Sequence, residues 1–339
     1  MSFVPGLELA GAFYEEVVAG LVGATAHSAA RLGKGSEVLG FDTERSTDHG
    51  WGPRLQLFVE GDPAQVWERI DSGLPEEFRG WPTRFGWDAV PVTHHVEVAR
   101  LGDWLEASLG FDPRRHMTAR DWLTTPQQSM LGVTGGAVFH DGLGELEPLR
   151  KLLEWYPHDV WLWVLACQWR RIDQEEPFVG RAAEVGDELG SRILAARLAR
   201  DIVRLCFLIE RRYAPYSKWL GSAFAQLEAA SEVGPALEAA TAATGFAARE
   251  QALVDAVEAA ARRFNALGIT EPMDATVRLF YGRPYRVLGS SRFVDACLGS
   301  LSDPWLRSLP LIGSIDQLAD STDVLKPAVS RRLGAVYGE

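Results

Sequence analysis

The chain has 339 residues, 47% hydrophobic and 24% charged, with Asp+Glu 46 against Lys+Arg 34 and a formal net charge of −12. That length buries a large core and suggests two domains. The acidic balance argues against a general polyanion binder, which carries a basic face, and leaves room for a local basic pocket for one nucleotide.

Residues 5–21 read as a helix, with Leu7, Leu9, Phe13, Val17 and Leu21 on one broad apolar face. The N-terminal stretch MSFVPGLELAGAFYEE has no basic start and apolar core, so it is not read as a signal peptide, and no apolar run reaches membrane-spanning length. Residues 26–32 read as the first strand, leading into a glycine turn. From Gly33 to Val59 the chain reads as turn, short helical or irregular segment, second turn and strand. Asp48 is placed at the mouth of that strand, where Leu55, Leu57 and Val59 alternate with Gln56 and Phe58. A helix starts at Pro63 and carries Val66, Trp67 and Ile70. Residues 78–92, rich in glycine, proline and tryptophan, read as a connecting loop or as a cap over a site. In Thr93–Leu101, alternation puts His95 and Glu97 on one strand face and His94, Val96 and Val98 on the other. Helices at 103–109, 121–131 and 145–153 and a strand at 137–140 complete a first domain, 1–155. Beyond Tyr156-Pro157 strand signals disappear. Apolar periodicity over 159–175 and 187–213, an alanine-rich stretch 227–266 broken at Gly234-Pro235 and Gly245, and shorter helices over 272–332 give a helical second domain, 156–339. Cys167, Cys206 and Cys297 form no C-x-x-C pair, so a zinc site or disulfide framework is not expected. They point to a reducing compartment, and Cys167 and Cys206 read as buried structural thiols. The expectation is a cytoplasmic protein with no membrane partner and no nucleic-acid partner.

The chemistry concentrates in the glycine turn. Gly33, Gly35 and Gly40 allow tight backbone geometry and close approach to a ligand. Ser36 follows Gly35, so its hydroxyl and the neighbouring backbone N–H groups suit a phosphate, and a following carboxylate suits a divalent metal. Gly35-Ser36, then Asp48-His49, then an apolar strand, resemble the G-S…D-x-D signature of the nucleotidyltransferase superfamily. The wider string GSEVLGFD…STDHGWGPRLQLF is similar to an uncharacterised bacterial branch related to the kanamycin and lincosamide nucleotidyltransferases. The resemblance implies an α/β (α+β) domain with a mixed sheet, followed by an all-α helical bundle that receives the acceptor. It further implies transfer of a nucleoside monophosphate from ATP or another NTP to a small-molecule acceptor, with Mg2+ (or Mn2+) on Asp48 and Glu97, though Glu97 can also simply face solvent on an edge strand.

One position departs from the signature: Gly50 stands where the second aspartate belongs. An aspartate there is expected to project with Asp48 from one strand face. Asp42 or Glu44 can substitute, or Asp42 caps a local turn. The departure opens an alternative, a catalytically impaired nucleotide- or partner-binding protein of the same fold. His49 either contacts a phosphate or is a hydrogen-bonded structural histidine. Glu175 or Glu176, in a segment (173–181) that reads as leaving a helix, is the candidate general base or else part of a solvated helix end. In the aromatic stretch 213–219, Lys218 either touches a phosphate beside a stacked base or lies at a helix–helix corner. Walker A spacing and a G-x-S-x-G elbow are absent.

Overall fold

The computed structural model describes residues 3–338. The chain divides into two compact units, and neither is one continuous segment. The first comprises the residues up to Met117 with Gln128–Glu154 and Leu325–Arg331; the second comprises Thr118–Gln127, Trp155–Val324 and the residues from Arg332. Where a single cut after 155 was expected, the segments 118–127 and 325–331 also change unit.

The first unit is α+β. Its main sheet has five strands, β1 (His27–Arg31), β2 (Arg54–Val59), β3 (Arg84–Trp87), β4 (Val90–Ala99) and β5 (Ala137–Asp141), in the order β3-β4-β2-β1-β5. The sheet is mixed: β1 runs antiparallel to β2 and β5, β4 runs parallel to β2, and β3 runs antiparallel to β4. The N-terminal helix α1 (Gly6–Phe13) continues through a π turn at Tyr14–Val18 and on to Val22. Helix α2 (Pro63–Gly73) makes the crossover from β2 towards β4. It starts where the sequence indicates: the Asp62 carboxylate accepts the Ala64 N–H, and Pro63 takes the first helical position. Leu9, Phe13, Val18 and Val22 from the N-terminal helix join Val66 and Ile70 of α2 over Leu55, Leu57, Val59 and Val96. Each such burial contributes roughly 1.5–3 kcal/mol, so this core sets which face of β2 and β4 points inward. On the opposite face Phe58 meets Trp104 of α3 (Leu101–Leu109) edge-on, with centroids 5.5 Å apart.

Two local expectations are corrected. Residues 78–92 are not a loop: Glu77–Phe78 pairs with Trp81–Pro82, and β3 and the start of β4 follow. Glycine and proline masked the alternation there, and Phe85 and Trp87 instead pack on His95 at 4.2 and 4.9 Å. The expected helix 121–131 is two, Ala119–Thr124 and Gln127–Thr134, because Pro126 holds Thr125 in an extended conformation.

The second unit is helical apart from a two-residue ladder, Arg278–Leu279 with Arg286–Val287. Its centre is α4 (His158–Glu184), whose Trp161, Trp163 and Trp169 are fully buried. Trp169 stacks on Phe293 at 4.4 Å and meets Phe264 edge-on at 5.7 Å. The segment 173–181 therefore does not leave a helix. It lies inside α4, where the buried neighbours Ile172 and Val179 offset the backbone bond lost at Pro177. The helix Ala230–Ala242 likewise runs through Gly234-Pro235. The three cysteines are free and buried, and burial pushes their thiols up, for Cys206 and Cys297 to about 12. Among the described residues no helix is long and apolar enough to cross a membrane.

Candidate functional site

β1 ends in Arg31, and that guanidinium organises the turn after it. Arg31 donates to Glu37 Oε1 from Nε and Nη2 at 3.0 and 2.7 Å, to the Lys34 carbonyl at 2.5 Å, and to the Leu32 carbonyl. Arg54, opening β2, donates to the same carboxylate oxygen from Nε at 2.9 Å and also from Nη2. Arg31 and Glu37 are only 3% and 2% exposed. Burial alone raises the Glu37 carboxyl, but the two guanidiniums outweigh it and hold the group below the usual carboxylate range. Burial also pulls Arg31 down to about 10, which leaves it charged at neutral pH. This cluster explains Gly35, whose φ is 138°: a Cβ there would lie 2.4 Å from Glu37 Oε2 and 2.8 Å from Arg31 Nη2. The Gly33 N–H donates to the Gly132 carbonyl at 2.7 Å and fastens the start of the turn.

Beside the turn is a cavity of about 570 Å³, inside the roughly 300–1,000 Å³ range of small-molecule sites. Arg31, Gly33, Lys34 and Arg54 line it, together with Gln56, Glu97, His95, His94, Trp67 and Trp104. Gln56 faces Glu97 in the β2–β4 register. Its amide accepts the Leu32 N–H at 2.8 Å and donates to Glu97 Oε2 at 3.0 Å, tying the turn to the exposed carboxylate. His95 Nε2 donates to the Phe85 carbonyl at 2.8 Å, and burial lowers the ring's pKa so that it is neutral at pH 7.

The remaining sequence candidates fall elsewhere. Asp48 ends a 3-10 helix, Glu44–Asp48, well before β2 begins at Arg54, so it is not at the mouth of the strand. It is exposed, with Oδ1 2.9 Å from His49 Nδ1, so His49 is hydrogen-bonded. Position 50 does not share a strand face with it: Gly50 has φ 59°, and a Cβ there would sit 3.3 Å from the Trp87 ring. The β2 side chain that faces Glu97 is Gln56, not a carboxylate. Asp42 neither lines the cavity nor is seen to cap a local turn: it accepts the Gly6 N–H at the start of α1 at 2.6 Å and the Trp51 indole N–H at 3.3 Å. Gly33 and Lys34 line the cavity, whereas Gly35 packs on the ion cluster and the Ser36 hydroxyl is 3.4 Å from Ser46.

Glu175, Glu176 and Lys218 belong to the second unit. Glu175 pairs with Arg197 at 2.6 Å. Glu176 accepts the N–H groups of Leu288, Gly289 and Ser290 at 2.7, 3.0 and 2.9 Å, and burial raises its carboxyl to about 7. The Lys218 ammonium lies 4.8 Å from the Trp219 ring centroid.

The resemblance implies a divalent metal, which needs a cluster of oxygen ligands. Among the described residues no group of three His, Cys, Asp or Glu side chains is gathered for a metal ion. Glu97 shares its cavity with two guanidiniums and an ammonium. That arrangement does not fit a two-metal centre. It fits an anion.

Arg31, Lys34, Glu37, Arg54 and Gln56 were not singled out from sequence. Two signals were present: an arginine closing an apolar strand just before the glycine turn, and one amide inside the apolar run of β2. A family model described as a domain of unknown function (DUF4037) matches residues 122–220, outside the stretch that lines the cavity. No curated protein and no solved structure matches the chain.

Proposed function

We propose that the first unit is a nucleotidyltransferase-like domain that binds a nucleoside triphosphate in this cavity and is impaired in transfer. The observation that carries the reading is the cationic lining beside the glycine turn, with Lys34 exposed and Arg54 held in place by Glu37. Charged N–H donors fixed at the edge of a cavity are the complement of a polyphosphate. The order of elements supports the kinship: the glycine-serine turn follows β1, β2 lies antiparallel to β1, and β4 lies parallel to β2. Impairment follows from Asp48 standing outside the strand and from Gln56, rather than a carboxylate, facing Glu97.

A second reading is transfer of a nucleoside monophosphate to a small-molecule acceptor. The position of Glu97, on the strand beside β2, favours it. It requires metal ligands beyond those gathered at the cavity.

Titration calorimetry of the full chain with ATP, with and without magnesium, tests the first reading. Saturable binding without magnesium is expected. Lys34→Ala should weaken it by about 1.5–3 kcal/mol, the worth of a hydrogen bond to a charged group. Absence of binding removes the proposal. Magnesium-dependent transfer of label from an α-labelled triphosphate to a cell-extract acceptor would establish the second reading instead.

A further inference from the structure

The cavity has a second chemistry that the phosphate reading does not use. β3 pairs with β4 only as far as His94, and from His95 to Ala99 β4 has β2 on one side and no strand on the other among the described residues. The cavity is lined by every residue from Thr93 to Val98, hence by both faces of β4. It therefore runs along the open edge of the strand, where backbone N–H and C=O groups face outward without a ladder partner.

His94, where the pairing with β3 ends beside this edge, is 3% exposed, and neither ring nitrogen completes a hydrogen bond of full geometry, with the Val96 backbone and Asp71 among its polar neighbours. Buried side-chain polar atoms are seldom left in that state. Burial, only partly offset by Asp71 and the Val96 backbone, keeps the imidazole neutral, so it offers one donor and one acceptor. Against it lies Trp67 of α2, with ring centroids 4.6 Å apart and 38% of the tryptophan exposed.

We propose, resting on the triphosphate reading, that this edge seats the nucleobase, which stacks on Trp67 and hydrogen-bonds His94 and the open backbone of β4. An apolar group would stack on Trp67 but leave the imidazole nitrogens unmatched. A sugar would meet the nitrogens but leave the indole face without a planar partner. A heterocyclic base supplies both a plane and a polar edge. The continuity of this edge with Lys34 and Arg54 in one cavity lets base and phosphates belong to the same molecule.

Calorimetry with ATP, GTP, CTP, UTP and inorganic tripolyphosphate on the full chain decides the matter. At least one of the four nucleotides should bind about tenfold tighter than tripolyphosphate or better, the effect of one stacked base. Trp67→Ala should erase most of that advantage while leaving tripolyphosphate affinity unchanged. His94→Phe, which keeps a ring but removes both nitrogens, should shift the preference among the four bases; it also serves as the second variant if Trp67→Ala fails to fold. If all four nucleotides bind no tighter than tripolyphosphate, the base subsite is refuted and the triphosphate reading stands. The subsite is equally refuted if both variants leave the advantage and the preference intact. If neither tripolyphosphate nor any nucleotide binds, the triphosphate reading fails and the base subsite fails with it.

Discussion

Glu37→Gln tests whether the glycine turn is built on a buried ion cluster. One carboxylate oxygen receives two guanidiniums, Arg31 at 2.7 Å and Arg54 at 2.9 Å among its closest contacts. At an effective dielectric of about 20, each attraction is worth ~5–6 kcal/mol before desolvation is counted. Desolvation offsets most of that in the intact cluster, but the amide variant leaves two cations facing each other with no anion between them. Removing one partner of a buried pair costs about 3–5 kcal/mol, and no large discount for solvent applies because Arg54, the most exposed of the three, is 16% exposed. The measurement is urea unfolding followed by tryptophan fluorescence and circular dichroism. It has a pH signature as well. Glu37 titrates below its unfolded value, so its contribution is full above about pH 4.3 and disappears as the pH falls through the folded value. The variant should lack that part of the acid slope. Tripolyphosphate should recover more stability in the variant than in the parent, since it supplies the missing negative charge. A loss below about 1 kcal/mol, or an unchanged acid slope, would refute the argument that these charges are desolvated and interdependent.

Three further outcomes are expected. Gly136→Ala should cost more than about 3 kcal/mol or abolish soluble expression, because φ is 64° and a Cβ would come within 1.9 Å of the Arg31 carbonyl oxygen; urea midpoints and soluble yield report it. Gly50→Asp should lower stability by about 1–2 kcal/mol and leave magnesium-dependent transfer unchanged, since the left-handed backbone and the Trp87 ring keep the new carboxylate away from a strand face; thermal melts and a labelled-triphosphate assay check both parts. Glu176 binds its proton more tightly folded, at about 7, than unfolded, so the native state carries the extra proton and stability falls as pH rises from about 5 to 8, by up to about 3 kcal/mol. Glu176→Gln should flatten that slope in urea titrations run at both ends of the range.

Elements whose signals are local were legible in the sequence. The strand before the glycine turn, the alternation in β2 and β4, the helix opened by Asp62-Pro63 and the long apolar helix α4 lie where periodicity and capping place them. What failed depended on partners far along the chain. Pro177 argues for a helix end until the packing around Ile172 and Val179 is known. Glu176 looks like a solvated acid because its donors, Leu288 to Ser290, are more than a hundred residues away. Phe85 and Trp87 read as loop residues because the histidine they pack on lies on the following strand. At the site, the glycine turn was visible and its support was not. Glu37 draws together Arg31 from the end of one strand and Arg54 from the start of the next, and only sheet pairing reveals that meeting. Asp48 reads as the mouth of the strand because the apolar run suggests an extended chain, which Gly50, Gly52 and Pro53 break before Arg54.

The segment Leu325–Arg331 belongs to the first unit, where the Arg331 guanidinium lies over the Phe111 ring at 4.7 Å and Pro327 packs against Gly110. A chain emerging from the ribosome therefore presents all five strands long before it presents the residues that finish that unit. Until then Phe111 and the end of α3 lack their cover, and the unit must wait while the whole intervening helical stretch is synthesised. Nascent chains stalled before Leu325 should show weaker hydrogen-exchange protection around α3 than released protein, and this end of the fold is where chaperones would find it open during synthesis.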